Sequence, residues 1–122
     1  MTSYEQQFRR SIEDPAGFWG DAAQLITWER APGTVLDTAD PRFPRWFSDG
    51  RLNTCFNAVD RHVDERGDQL ALVHDSPVTD SVRTLTYREL RDEVARFAGV
   101  LRNLGVTVGD RVVIYMPMVP EA

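Results

Sequence analysis

"TYRELRDEVARFAGVLRNLGVTVGDRVVIYMPM", residues 86–118, holds the pattern that decides the fold. It opens on a capping box. In Thr86-Tyr87-Arg88-Glu89 the threonine hydroxyl is placed to accept from the N–H of residue 89, while Glu89 reaches back to the N–H of residue 86. Leu85 and Leu90 stand where a hydrophobic staple needs them. Tyr87, Leu90, Val94, Phe97, Leu101 and Leu104 keep three-to-four spacing, which predicts an amphipathic helix. Gly105 suits a left-handed C-cap, with Val106 packing back on Leu101. Gly109-Asp110 then turns the chain. Arg111 to Met116 is apolar on both faces, the pattern of a strand inside a parallel sheet covered by helices. Pro120-Glu121-Ala122 reads as the first turn of another helix.

Working outward, Leu70 to His74 reads as a strand, Ser76 to Ser81 as a turn with proline, and Val82 to Leu85 as the returning strand of a hairpin. Leu52 to Arg66 reads as one helix. Cys55, Phe56, Val59 and Val63 mark its apolar face, and Gly67 its C-cap. Tyr4 to Glu13 predicts a short helix with Tyr4, Phe8 and Ile12 on one face. Asp14-Pro15 starts a second helix, running to about Ile26. Glu29 to Asn53 is expected to be irregular, extended chain.

Residues 1–51 also hold eight of the twelve aromatics. Bulky rings on irregular chain need a surface, each burying on the order of 150–250 Å². An arm draped over a larger body accounts for them. From the Leu52–Arg66 helix onward the order is α, β, β, α, β and the start of another α. That is the front end of a layered α/β domain. A chain that stops one turn into a helix is expected to be a piece of a longer protein, with an exposed sheet edge prone to self-association.

Net charge is −5, and all 14 basic residues are arginine. An acidic chain without a basic stripe argues against nucleic acid and anionic membranes. The absent lysine removes Schiff-base chemistry and the phosphate-binding lysine of a P-loop. No run of about 18 apolar residues exists to span a membrane. The first residues have no positive end followed by an apolar stretch, so they do not read as a signal peptide. The one cysteine, Cys55, fits a reducing, cytoplasmic setting.

Candidate chemistry is sparse. Cys55 and His62 would share a helix face, near Asp60 and Asp64, as nucleophile and base; a buried cysteine and a surface histidine explain them as well. His62, His74 and Asp75 match no metal-ligand spacing. Asp75, Asp80 and Asp92 match no calcium loop. "PRFPRWF", residues 41–47, mixes arginine with rings as a single-strand stacking platform does. Rings packed into a groove on their own protein fit the acidic charge better. Gly105 and Gly109 precede a strand, whereas a dinucleotide site needs its glycines after one. These residues contain no convincing catalytic, cofactor-binding or metal site.

The segments resemble, in order, the N-terminus of AMP-forming short-chain acyl-CoA synthetases. The matching stretches are "FW" at 18–19, "ITW" at 26–28, "RWFSDGRLN" at 45–53, "NAVDRH" at 57–62, "LTYREL" at 85–90 and "LGVTVGDRVVIYMPMVPEA" at 104–122. "LVHDSPVTD" at 72–80 looks more like propionyl- than acetyl-CoA synthetases. The resemblance implies an acetyl-CoA synthetase-type arm and linking helix over 1–66. It implies the truncated start of an adenylation domain over 67–122. It implies that ATP, with magnesium, converts a short carboxylate to an acyl-adenylate, which the CoA thiol then attacks. The family's phosphate loop, ribose aspartate, catalytic lysine and CoA contacts match nothing in residues 1–122, so no site residue carries over. The chain alone is expected to be inactive. A standalone interaction module docking through its aromatic arm is the competing reading.

Overall fold

The computed structural model describes residues 3–122. The chain divides into two compact units, residues 1–57 and 58–122.

In the first unit, helix α1 spans Tyr4–Glu13 and helix α2 spans Pro15–Ala22. Ser3 caps α1, accepting from the Gln6 N–H, and Gln6 returns the bond to the Ser3 N–H. Asp14 accepts from the Gly17 N–H at 3.0 Å, and Pro15 takes the first helical position, where no N–H is needed. A 3₁₀ turn, Ala23–Leu25, extends α2, and Ile26 is already extended. An Arg10–Asp21 ion pair ties the two helices.

Glu29 to Asn53 is less irregular than expected. Strands β1 (Leu36–Asp37) and β2 (Arg45–Trp46) pair antiparallel, with Leu36 opposite Trp46, and Arg30 bridges Arg51. The reason is a set of aspartate side chains that accept backbone N–H bonds, two from two positions away and one from sixteen. Asp37 accepts from Ala39 N–H, Asp40 from Arg42 N–H, and Asp49 from Gly33 N–H at 2.9 Å. These bends bring the flanking chain together. The bonds from Gly33 and Thr34 also hold the Asp49 carboxyl below its ordinary range.

The helix expected over Leu52–Arg66 is broken. Helix α3 spans Thr54–Ala58, a 3₁₀ turn spans Asp60–His62, and helix α4 spans Val63–Arg66. Asn53 accepts from the Phe56 N–H and so starts α3. The Asn57 side chain accepts from the Thr27 N–H at 2.8 Å and donates to the Thr27 carbonyl at 2.9 Å. It thereby spends its amide on another segment just before Val59 leaves helical geometry at φ −125°, ψ −65°. Gly67 ends α4, but with right-handed φ −54° instead of a left-handed cap.

In the second unit, strands β3 (Leu70–Ser76) and β4 (Ser81–Thr86) form the expected hairpin, with a bulge at Ala71 between the Leu70–Thr86 and Leu72–Leu85 pairs. Asp80 takes φ +48° in its turn, a conformation aspartate tolerates. Helix α5, Tyr87–Asn103, packs on both strands. Tyr87, Leu90, Val94 and Leu101 are half-buried on its inner face, while Phe97 and Leu104 are exposed. The helix ends in a Schellman motif: Val106 N–H bonds the Leu101 carbonyl, Gly105 N–H bonds the Arg102 carbonyl, and Gly105 has φ +85°.

The capping box at Thr86 is present with both bonds, Glu89 N–H to the Thr86 hydroxyl at 3.3 Å and Thr86 N–H to Glu89 Oε2 at 2.8 Å. The Thr86 N–H and then its hydroxyl hold the Glu89 carboxyl below its ordinary value. A lowered folded value stabilises the fold above the unfolded value, about 4.3 for glutamate. That stabilisation is lost as pH falls through the folded value. Thr86→Ala is expected to cost about 1 kcal/mol. Glu89→Gln keeps the cap but flattens the acid limb of a thermal-melt series from pH 7 to 3. An unchanged acid limb in the glutamine variant would remove this account.

The strand expected over Arg111–Met116 is not formed. The segment carries no regular secondary structure and is unpaired among the described residues, with Val113 86% and Tyr115 99% exposed. A ladder needs a neighbour with which to exchange N–H···O bonds, and the described chain offers none there. The first turn of a helix expected at Pro120 is likewise a simple turn, Ala122 N–H to the Val119 carbonyl. The α/β layering exists here as α5 on the hairpin; among the described residues no parallel sheet forms. Among the described residues only Val59 and Val63, 9% and 3% exposed, are buried apolar side chains.

Candidate functional site

Five aromatic residues of the first unit form a chain of ring contacts. Trp28 and Phe47 lie 5.6 Å apart, Phe47 and Trp46 6.1 Å, Trp46 and Trp19 6.4 Å, and Trp19 and Phe18 5.2 Å. Phe47 sits at φ +48°, unusual for a bulky residue. It is held there because its N–H bonds the Val35 carbonyl and its own carbonyl accepts from Gly50. A Cβ at Gly50 would lie 2.8 Å from the Trp28 ring, so bare backbone is required. Trp28 is oriented by its indole N–H, which donates to the Ala23 carbonyl at 2.9 Å.

Arg42 of "PRFPRWF" is engaged within its own loop. Arg42 binds Asp40 through two nitrogens at 3.0 Å and lies over Phe43. Asp40 is pulled below its ordinary value by that guanidinium. The cation is therefore neutralised within the loop. A hollow beside Trp28 is lined by Thr27, Glu29, Asn53 and Phe56. It contains one carboxylate and no nucleophile–base pair.

Cys55 and His62 do not share a helix face, because the break at Val59 puts them in separate helical pieces. His62 Nδ1 lies 2.6 Å from Arg66, and its ring meets Tyr87. His74 is opposite Arg83 on the hairpin, and its Nε2 is 3.1 Å from the Met118 carbonyl. Only an N–H can bond a carbonyl, so the His74 proton is on Nε2. Asp75 is opposite Val82, and Asp92 is bound by Arg91. Among the described residues, no group of three His, Cys, Asp or Glu is arranged to hold a metal. Gly105 and Gly109 serve turns, the second closed by Asp110 accepting from the Thr107 N–H at 2.6 Å. Asn57 and Asp49 are the organising polar residues that sequence reasoning missed. Their one signal was Asp and Asn amid glycine and aromatics, which reads as loop.

Comparison with known proteins then gives the class. The model of the AMP-binding enzyme family matches residues 59–122, more than half of the chain, and the chain belongs to that family. Residues 4–58 match the model of the acetyl-coenzyme A synthetase N-terminus. Among relatives, the chain is 46% identical over 98% of its length to mouse mitochondrial acyl-CoA synthetase short-chain family member 3. It is 45% identical, again over 98%, both to propionate–CoA ligase of Escherichia coli and to acetyl-coenzyme A synthetase of Xanthobacter autotrophicus. Equal identity does not separate propionate from acetate. The chain spans 18% of the mouse protein and 19% of each bacterial one. No helix among the described residues is long and apolar enough to cross a membrane.

Proposed function

We propose that these residues are the N-terminal part of a cytoplasmic AMP-forming ligase that joins a short carboxylate to CoA, with propionate preferred over acetate. The observation that carries the reading is the order of the two family matches, residues 4–58 and then 59–122. Residues 1–66 act as the arm and linking helix, and residues 67–122 open the adenylation domain. The family boundary at 58/59 falls inside that linking segment, at its observed break. The preference for propionate rests on the 72–80 hairpin stretch.

The residues present do not fit ATP phosphates or magnesium. They include no lysine and, as described, no three-ligand cluster. The role of this chain is scaffold, and the 122-residue polypeptide alone does not turn over. The test is AMP release dependent on ATP, CoA and acid, compared between the 122-residue chain and the complete product of its gene. The expected result is activity only in the complete product, with kcat/KM higher for propionate than for acetate. Ligation by the 122-residue chain overturns the scaffold role, and a reversed ratio overturns the acid preference. A complete product without ligase activity would favour the second reading, a docking module using the half-exposed Trp19 and Trp46.

A further inference from the structure

His62, Arg66 and Tyr87 form a side-chain cluster within the second unit. Arg66 Nη2 lies 2.6 Å from His62 Nδ1. Arginine has only donors and keeps its charge in proteins. Nδ1 must therefore accept, so the imidazole is neutral with its proton on Nε2. The same guanidinium lies over the Tyr87 ring, 5.6 Å from its centroid, and the His62 ring meets that ring edge-on at 5.3 Å.

The position of the cluster matters. Tyr87 begins α5, and the Asp60–His62 turn packs against that helix. Tyr87 N–H bonds the Gln69 carbonyl at 3.1 Å, and Arg88 N–H bonds the Gly67 carbonyl at 3.0 Å. A Cβ at Gly67 would lie 2.5 Å from both the Val63 carbonyl oxygen and Arg88 Nη2. The junction thus closes on bare backbone, with the three side chains clamped beside it.

We propose that this cluster is a pH-sensitive latch between α4 and the start of α5. A proton taken from solvent onto His62 Nδ1 turns the acceptor into a donor beside a fixed cation. The Arg66 contact breaks, and α4 loosens from Tyr87. Other charged residues stand on the elements packed around it: Asp60 and Arg61 on its own turn, Asp64 and Glu65 on α4, Arg88 and Arg91 on α5. Arg88 is engaged by Asp68 and Arg91 by Asp92. The carboxylates at 60, 64 and 65 favour a charged imidazole. Arg66 is the charged group in direct contact with the ring, at 2.6 Å, and protonation at Nδ1 also removes that hydrogen bond.

The experiment is an NMR titration of the 122-residue chain from pH 8 to 5, with hydrogen exchange at the Tyr87 and Arg88 amides. With Nδ1 held by the Arg66 donor, His62 is expected to titrate below a free imidazole. Below that midpoint the two amides should exchange on the order of tenfold faster, after correction for intrinsic pH dependence. Arg66→Gln keeps a neutral donor, and its His62 midpoint should rise towards the free value. A wild-type midpoint at or above the free value overturns the latch. So does amide exchange that ignores the midpoint. The wild-type titration decides by itself, whether or not the variant folds well.

Discussion

Val63→Asp abolishes the cooperative unfolding transition of residues 58–122. Val63 is 3% exposed and shares burial with Val59 alone among the apolar side chains of the described residues. It is also the first residue of a four-residue helix, which has too few internal bonds to stand without packing. A carboxylate placed there must lose its hydration without a partner, or stay neutral at a cost in proton affinity. The expected loss is about 3–4 kcal/mol, at the upper end for single substitutions. A unit with so small an interior has little stability to spare. Val63→Ala, which removes two methyl groups and adds no charge, is expected to cost about 2 kcal/mol. Urea unfolding followed by far-ultraviolet circular dichroism reads both. Equal midpoints for Val63→Asp and the parent would show that this valine is not the centre of the unit's packing.

Asn57→Asp is the second large effect, and it changes almost no volume. The Asn57 amide accepts from the Thr27 N–H at 2.8 Å, donates to the Thr27 carbonyl at 2.9 Å, and donates to the Asn53 carbonyl at 3.0 Å. A carboxylate keeps the first bond and loses the other two. It also places an anionic oxygen against two carbonyl oxygens. Each lost bond is worth roughly 0.5–1.5 kcal/mol, and the facing acceptors add repulsion. The expected total is about 2–3 kcal/mol at pH 7. The loss should shrink near pH 3, where the carboxyl regains a donor hydrogen. Trp28 fluorescence during urea unfolding reports it, since Trp28 follows Thr27 and is anchored on Ala23. An Asn57→Asp variant that unfolds at the parent midpoint at both pH values would mean that these bonds contribute nothing net.

The elements with local causes were legible. Helix α1, the hairpin, the Thr86 capping box and the Gly105 cap all follow from short-range signals, most of them within about four positions of one another. A capping box needs only its own four residues, so Thr86 and Glu89 announced their geometry before any fold was known. The break in the Leu52–Arg66 segment was not legible. Its apolar spacing is helical, and nothing within one turn of chain announces the bonds that tie the Asn57 side chain to Thr27, thirty residues away. The β1–β2 pair escaped for a similar reason, since two residues per strand carry no period to read.

The candidate site behaves the same way. The absence of a lysine and of a phosphate-binding glycine run is a matter of composition and spacing, and could be read directly. The partners of its polar residues could not. Arg42 beside Asp40 is near in sequence, but His62 meets Tyr87 across twenty-five positions, and Phe47 meets Trp28 across nineteen.

The sequence by itself determined both ends of α1 and α5, the start of α2 and the turns at Gly105 and Gly109, because capping, glycine conformations and apolar period act over one or two turns of chain. Only the tertiary structure decided which of those elements stay whole and which side chains are paired. Val112 to Met116 makes the point from the other side. Its β-branched run carries every local preference for a strand, yet it stands unpaired among the described residues. A strand is a relation between two segments, and its hydrogen bonds exist only where another backbone supplies the complementary groups.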